Sequence, residues 1–233
     1  MLDDLAQLPA IAKTIQSNPI ASLAMVQLLR HNETLSVHRG LIAESLVYST
    51  LQSEPAVSLL RDGARLHITL NRPDRRNAFS AEMRDGFVEA LQVVLSDPSI
   101  EEVVLRGAGP AFCSGGDLAE FGTLPDPATA HVIRSTRNPA RLIARCADRV
   151  RCELHGACVG AGIELPAFTA RVRAKRDTRI WLPEVSMGLV PGAGGSVSLL
   201  RRIGRQRTNY LALSQLSIDA ETALEWGLVD ELI

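Results

Sequence analysis

The sequence predicts a layered α/β domain that follows a helical N-terminal segment. Of its 233 residues, 46% are apolar and 22% are charged, a composition typical of a globular chain with a substantial core. Of its 17 glycines, 12 lie between Gly107 and Gly195, whereas the first sixty residues contain only Gly40. After residue 57, strand, glycine-rich turn and helix patterns recur, which is the order of elements in α/β proteins. We therefore expect a helical segment over residues 1–56 and an α/β core over 57–233.

The glycine-poor start carries two helical patterns. Asn18-Pro19 predicts a helix start, because asparagine caps helices and proline is favoured at the first helical position. Apolar residues on one face then predict a helix over about 19–31, namely Leu23, Val26 and Leu29. After a turn at 31–34 the helical spacing resumes and continues to Glu54-Pro55. Residues 5–52 are thus expected to be helical and free of catalytic motifs.

Strands and helices alternate in the core. Apolar and polar residues alternate from Leu66 to Leu70, which predicts a strand. Ser80 can cap a helix that ends before Asp97-Pro98. Three further strands are predicted near residues 103–105, 151–154 and 179–182, and a glycine-rich turn follows each of them. Functional groups are expected at these turns.

Charge and cysteine content exclude several classes of protein. The chain has 25 basic and 26 acidic residues, so we expect neither a nucleic-acid nor a membrane partner. Its start is acidic, and no apolar run reaches the ~20 residues of a membrane span. These features favour a cytoplasmic protein. The four cysteines form no CxxC pair, which indicates buried free thiols and no metal site.

Three familiar uses of glycine turns fit poorly. A phosphate-binding loop needs a lysine after the glycines, and the only lysines, Lys13 and Lys175, lie elsewhere. A dinucleotide site needs a third glycine that these turns lack. The segment around Cys158 resembles a nucleophile elbow, but all five histidines precede Cys158, the reverse of the order such hydrolases need. Cys158 is therefore predicted to be a small core residue.

Backbone amides offer a further use of these turns. Glycine lets the backbone approach a ligand closely, and amides exposed at a helix start stabilise negative charge. The candidate turns are 113–118 and 160–162, each expected to open a helix. Together they could form an oxyanion hole, although tight connections with no other role remain the alternative.

Two glutamates lie beside these turns in apolar surroundings, Glu164 and Glu184. Burying a carboxyl is costly unless it has a partner or a chemical role. Near one oxyanion hole the pair could share a water, one as its base and the other handling the second proton. Complementing a helix dipole would also account for Glu164, but explains Glu184 poorly.

Four ordered motifs resemble the enoyl-CoA hydratase/isomerase (crotonase) family over roughly residues 57–233. They are Leu70-Asn71-Arg72-Pro73 with Asn77-Ala78, the segment 111–118 (AFCSGGDL), the segment 155–165 (HGACVGAGIEL), and the segment 182–195 (LPEVSMGLVPGAGG). The resemblance implies the crotonase (ClpP-like) spiral fold of repeated ββα units.

The resemblance also implies an activity. Family members bind acyl-CoA thioesters and polarise the carbonyl with two backbone amides, whose positions here are Gly116 and Ala161. In the hydratases two glutamates manage the added water, and these positions are Glu164 and Glu184. The implied reaction is hydration of a trans-2-enoyl-CoA, with coenzyme A as part of the substrate and no permanent cofactor or metal. Isomerisation, thioester hydrolysis and non-catalytic acyl-CoA binding by an oligomer are the alternatives.

Further residues take expected roles by resemblance. Backbone at Ala78 and near Asp117 and Leu118 would hold the CoA adenine, and Gly192 would help to position the water. Between Arg134 and Arg179 there are 11 basic and 4 acidic residues, with arginines at helical steps. An ordinary solvated helix face is the favoured interpretation, and CoA phosphate or partner contact is the alternative.

The two ends depart from the family pattern. Members usually continue past the equivalent of residues 227–230 into helices that cover the site and build a trimer, whereas this sequence ends at Ile233. Residues 18–30 and 40–54 look similar to those helices. The hypothesis is a circular permutation that places a trimerisation segment at the N-terminus of a homotrimer or dimer of trimers. An unrelated helical leader is the alternative.

Overall fold

A computed structural model describes residues 8–52, 55–123 and 126–233. The chain divides into two compact units, Met1–Glu54 and Pro55–Ile233. Across the described ranges, no helix has both the length and the apolar character that crossing a membrane requires.

Over residues 8–52, the first unit consists of three helices: α1 (Leu8–Ser17), α2 (Pro19–Asn32) and α3 (Val37–Gln52). The predicted helix start at Pro19 is confirmed, although the Asn18 side chain makes no capping hydrogen bond. Residues 5–7 of the predicted helical segment lie outside the described residues. Among residues 8–48 only Gly40 is buried, so this unit leaves most of its apolar side chains exposed.

The second unit alternates strands with helices. Its strands are β1 (Val57–Asp62), β2 (Arg65–Leu70), β3 (Glu102–Gly107), β4 (Val150–Leu154), β5 (Ala157–Val159), β6 (Arg171–Ala174), β7 (Arg179–Trp181), β8 (Ile218–Asp219) and β9 (Glu231–Leu232). Its helices are α4 (Ala81–Ser96), α5 (Pro127–Thr136), α6 (Pro139–Arg145), α7 (Ala161–Glu164), α8 (Gly195–Ser214) and α9 (Ala220–Glu225). The predicted cap of α4 is confirmed, because the Ser80 hydroxyl accepts a hydrogen bond from the Met83 amide at 3.2 Å.

Two sheets organise this unit. The larger has the strand order β1-β2-β3-β4-β6-β9, and all neighbours are parallel except the β1–β2 hairpin. The smaller has the order β5-β7-β8. Since parallel strands end at the same edge of a sheet, the segments that follow β3 and β4 lie side by side. Those are the segments in which the sequence predicts an oxyanion hole.

The core lies between the large sheet and the helices that cover it. Ile68 of β2, Leu105 of β3 and Phe87 of α4 are each no more than 1% exposed. All four cysteines are buried and free, as predicted, and they pack as small apolar side chains.

Two predicted helices differ in the structure. The arginines from Arg134 to Arg149 do not share one helix face, because α5 ends at Thr136 and Asn138-Pro139 begin α6. The segment 113–118 opens only a short 3-10 turn, Leu118–Glu120. Bridges from Cys113 to Cys158 and from Phe79 to Gly116 pair that segment with neighbouring chain, so its backbone groups bond there rather than starting an α-helix.

Candidate active site

The two predicted oxyanion segments run side by side. The Cys113 amide donates to the Ala157 carbonyl at 3.1 Å, and the Val159 amide donates to the Cys113 carbonyl at 3.0 Å. These bonds make the loop after Cys113 a parallel extension of the smaller sheet beside β5. The turn at 160–162 and the loop that carries Gly116 are therefore held against each other.

Each segment contributes one amide without a protein acceptor. Within the described part of the chain, neither the Gly116 nor the Ala161 amide donates a hydrogen bond to backbone or side chain. Ala161 is the first residue of α7, where a helix has no internal acceptor for its amide. The Ala161 residue is 7% exposed. Two amides that lack protein partners at adjacent turns are suited to stabilise a developing oxyanion.

Both glutamates face the turn at Gly160. A side chain added at Gly160 would collide with Glu184 Oε1, and its Cβ would lie 3.8 Å from Glu164 Oε1. The two carboxylate oxygens thus approach one point beside the Ala161 amide. A single water there can contact both of them.

Glu164 is held by the start of α8. The residue is 1% exposed, and its Oε2 accepts hydrogen bonds from the amides of Ala193 at 2.8 Å and Gly195 at 2.7 Å. Burial raises the pKa of this carboxyl to about 7, the Gly195 bond opposes that rise, and the nearby Glu184 carboxyl adds to it. Glu164 can therefore gain or lose a proton near neutral pH.

Glu184 begins the 3-10 turn Glu184–Met187 that follows β7. Its Oε2 is buried without a hydrogen-bond partner among the described residues. Burial raises the pKa of this carboxyl above its ordinary value. A buried oxygen with no protein partner is costly, and a substrate or water in the site would satisfy it.

Cys158 is not a nucleophile in this site. It is 0% exposed, and burial raises the pKa of its thiol well above the ordinary value. The prediction of a small core residue is confirmed.

The sequence comparison agrees with this geometry. Residues 62–233 match the family described as "Enoyl-CoA hydratase/isomerase", which is well over half of the chain. The chain belongs to the enoyl-CoA hydratase/isomerase family.

Relatives within this family carry different activities in their names. The chain is 35% identical over 170 residues to the 1,2-epoxyphenylacetyl-CoA isomerase of Escherichia coli (strain K12), covering 71% of this chain and 65% of that protein. It is 35% identical over 169 residues to the 2,3-dehydroadipyl-CoA hydratase of the same strain, covering 72% and 65%. The chain thus spans slightly less than two thirds of these relatives' length.

Solved structures of the family have the same fold. An enoyl-CoA hydratase from Thermoplasma volcanium GSS1 superimposes with a TM-score of 0.71 at 32% identity, covering 77% of this chain and 72% of that chain. A second, from Mycobacterium smegmatis, gives 0.71 at 31% identity, covering 77% and 70%. The predicted crotonase fold is confirmed. The helices before residue 62 lie outside the family match, and the circular permutation stays a hypothesis.

Three of the residues expected to bind CoA lie together in this family member. The Phe79 amide, next to Ala78, donates to the Gly115 carbonyl at 2.7 Å, and the Asp117 amide donates to the Phe79 carbonyl at 3.3 Å. Leu118 follows Asp117 and is 68% exposed. Gly192 directly precedes Ala193, whose amide donates to Glu164 Oε2.

Sequence reasoning did not foresee two sets of contacts. The amides of Ala193 and Gly195 that bind Glu164 are main-chain groups, and only their glycine-rich context gave a signal. The side chain of Asn77 makes four hydrogen bonds to main chain. Asn77 was part of a recognised motif, but nothing in that motif indicated which groups its amide would bind.

Proposed function

We propose that this chain is an enoyl-CoA hydratase that adds water across the double bond of a trans-2-enoyl-CoA thioester. The observation that supports this proposal is the approach of two carboxylates, Glu164 and Glu184, to one point at Gly160. Only an addition of water needs one group to activate the water and another to supply a proton at the neighbouring carbon.

The chemistry follows from the two kinds of group. Attack of the water oxygen on C3 moves negative charge onto the thioester oxygen, where the amides of Gly116 and Ala161 stabilise it. One carboxylate of the pair takes the proton that the water releases. The other carboxyl, in its protonated form, delivers a proton to C2, and proton exchange with solvent restores the starting state.

The carboxyl pair favours one shared proton. Repulsion between two buried carboxylates disfavours the doubly ionised state. The raised pKa values of Glu164 and Glu184 agree with a pair that holds one proton near neutral pH. The active form is then the singly protonated pair.

The remaining roles complete the proposal. The CoA part of the substrate binds along Ala78, Asp117 and Leu118, Gly192 helps to position the water, and no permanent cofactor takes part. The protein is cytoplasmic and acts as a homotrimer or dimer of trimers. Residues 1–56 form its permuted trimerisation segment, and residues 57–233 form the catalytic core.

The product of a reaction with crotonyl-CoA in ¹⁸O-labelled water tests the proposed reaction. We expect 3-hydroxybutyryl-CoA with one ¹⁸O atom at C3, identified by mass spectrometry. A shifted double bond would identify an isomerase, free coenzyme A a thioester hydrolase, and unchanged substrate a non-catalytic acyl-CoA-binding protein. Any of these three results would overturn the proposal.

A further inference from the structure

Both polar atoms of the Asn77 side chain are hydrogen-bonded to main-chain groups of the protein. The residue is 0% exposed. Its Nδ2 group, which has two hydrogens, donates to the carbonyls of Ala108 at 2.8 Å, Ala111 at 2.9 Å and Phe112 at 3.2 Å, so one hydrogen is shared between two carbonyls. Its Oδ1 accepts from the Arg72 amide at 2.8 Å. One side chain therefore fastens two separate loops, the one before α4 and the one after β3.

The backbone at Asn77 also suits asparagine. Its φ is +54°, in the left-handed region that asparagine tolerates better than most residues. In turns an asparagine side chain commonly bonds to its own turn. Here the Nδ2 group crosses instead to carbonyls more than thirty residues away.

The loop that Asn77 holds leads directly to the Gly116 amide. Phe112 ends the held stretch and begins the segment that runs to Gly116. On the same side, the Ser114 amide donates to the Arg76 carbonyl at 3.0 Å. The contacts of Phe112 and Ser114 are thus made by Asn77 and its neighbour Arg76, so the turn at residues 76–77 fixes the position of the segment that leads to Gly116.

The Gly116 amide needs such support. It has no acceptor in the described structure, so its direction is set by the peptide unit that it shares with the Gly115 carbonyl. That carbonyl accepts a hydrogen bond from the amide of Phe79, two residues after Asn77, at 2.7 Å. Its aim depends on neighbours that bind the loop, and an amide displaced by about 1 Å from a reacting oxygen can cost about 100-fold in rate.

We propose that Asn77 is a positioning residue for the oxyanion hole, which acts by holding the loop that aims the Gly116 amide at the thioester carbonyl. This inference rests on the proposed function. It assigns Asn77 no contact with substrate.

Three variants separate the side chain from the backbone. N77D keeps the shape and an acceptor for Arg72 but cannot make the three donations when ionised. N77G removes the side chain and accepts the positive φ without strain, whereas N77A removes it and keeps the strain. We expect all three to lower kcat about 100-fold with KM little changed.

The carbonyl stretch of a bound thioester provides a readout independent of turnover. The probe is butyryl-CoA with ¹³C at the thioester carbon, observed by infrared difference spectroscopy. In the wild type, the oxyanion amides should lower the frequency of this band relative to free ligand. In N77D and N77G the band should move back toward its free position.

The matched control is D97A. Asp97 also ties a loop together, accepting from the Ser99 amide at 2.9 Å and from Arg61 Nη1 at 2.6 Å. It precedes β3, at the opposite end of that strand from the Gly116 loop. We expect D97A to leave kcat and the carbonyl band at their wild-type values.

The outcomes distinguish this inference from the proposed function. An unshifted band in the wild type would contradict the oxyanion hole itself. A shifted wild-type band that N77G and N77D leave unchanged would overturn the role of Asn77 alone. If N77D does not fold, the N77G band decides, because glycine is compatible with the backbone at this position.

Discussion

At the scale of single residues, Glu164 is the carboxyl whose surroundings change its pKa most clearly. It is buried, two main-chain amides bind one of its oxygens, and a second carboxyl lies near the other. Burial opposes ionisation, while the amides favour it. The result is a carboxyl that holds its proton to about pH 7, which suits proton transfer at neutral pH and costs stability.

This cost predicts how stability depends on pH. Glu164 has an ordinary pKa of 4.5 and a folded pKa of about 7, so between these values the folded state binds more protons than the unfolded state. Stability is therefore lost as pH rises from 4.5 to 7, by on the order of 3 kcal/mol. E164Q should lack this loss. Urea denaturation at about pH 5 and about pH 8 measures it, and parallel losses in both proteins would contradict the assignment.

Gly160 is the residue that lets the two carboxylates meet. Its φ is +48°, and a Cβ would occupy the place of Glu184 Oε1. G160A should therefore displace Glu184 and lower kcat by about 100-fold or more. The measurement is the initial rate of crotonyl-CoA hydration.

The matched control for G160A is G63A. Gly63 has a φ of +57° and open space where a Cβ would be, so this variant carries the backbone strain alone, roughly 1–2 kcal/mol. G63A should lose stability and keep kcat. Equal kcat losses in both variants would assign the effect to backbone strain instead of to Glu184.

At the scale of elements, capping residues and prolines predicted where helices begin. The spacing of apolar or basic residues predicted less well whether a helix continues. The start of α2 at Pro19 and the cap of α4 at Ser80 are as predicted. Arginines of the basic stretch are exposed as predicted, for example Arg134 and Arg141. They do not lie on one helix, because the Asn138 side chain caps a new helix, α6, at Asn138-Pro139. The prediction that segment 113–118 opens a full helix was wrong because its hydrogen bonds go to β5 and to the loop before α4. No local sequence pattern contains such pairings.

The cap of α4 should make a measurable contribution to the free energy of unfolding. Ser80 Oγ accepts from the Met83 amide at 3.2 Å and from Arg72 Nη1 at 2.7 Å. S80A should lower the free energy of unfolding by about 1–2 kcal/mol. S96A is the control, since the exposed Ser96 bonds only within the last turn of the same helix and its loss should cost less than about 0.5 kcal/mol. An unchanged free energy of unfolding in S80A would contradict a stabilising role for this cap.

At the scale of the whole molecule, the site is a product of topology. The loops after β3 and β4 meet because the large sheet is parallel there, and the segment that carries Gly116 therefore runs beside the segment that leads to Ala161. The sequence alone predicted the candidate turns and both glutamates, and resemblance predicted the residues expected to bind CoA. The Asn77 contacts were not predictable, because three of its partners are carbonyls of a distant loop.

The N-terminal helices carry a prediction about assembly. Leu23 is 62% exposed on α2, and other apolar residues of this unit are also exposed, a pattern typical of an interaction surface. If these helices build the proposed trimer, L23D should lower the mass measured by light scattering to that of a monomer. L60D, at a 68% exposed position on β1, should leave the mass unchanged. A trimer that persists in L23D would contradict this role.

The rate of crotonyl-CoA hydration in E164Q and E184Q tests the central claim most directly, followed as loss of the enoyl-thioester absorbance. If the two carboxyls share the water and its protons, each variant should turn over about 10²–10⁴-fold more slowly than the wild type. Each should still bind butyryl-CoA. Near-normal turnover in either variant would contradict a mechanism that needs both glutamates.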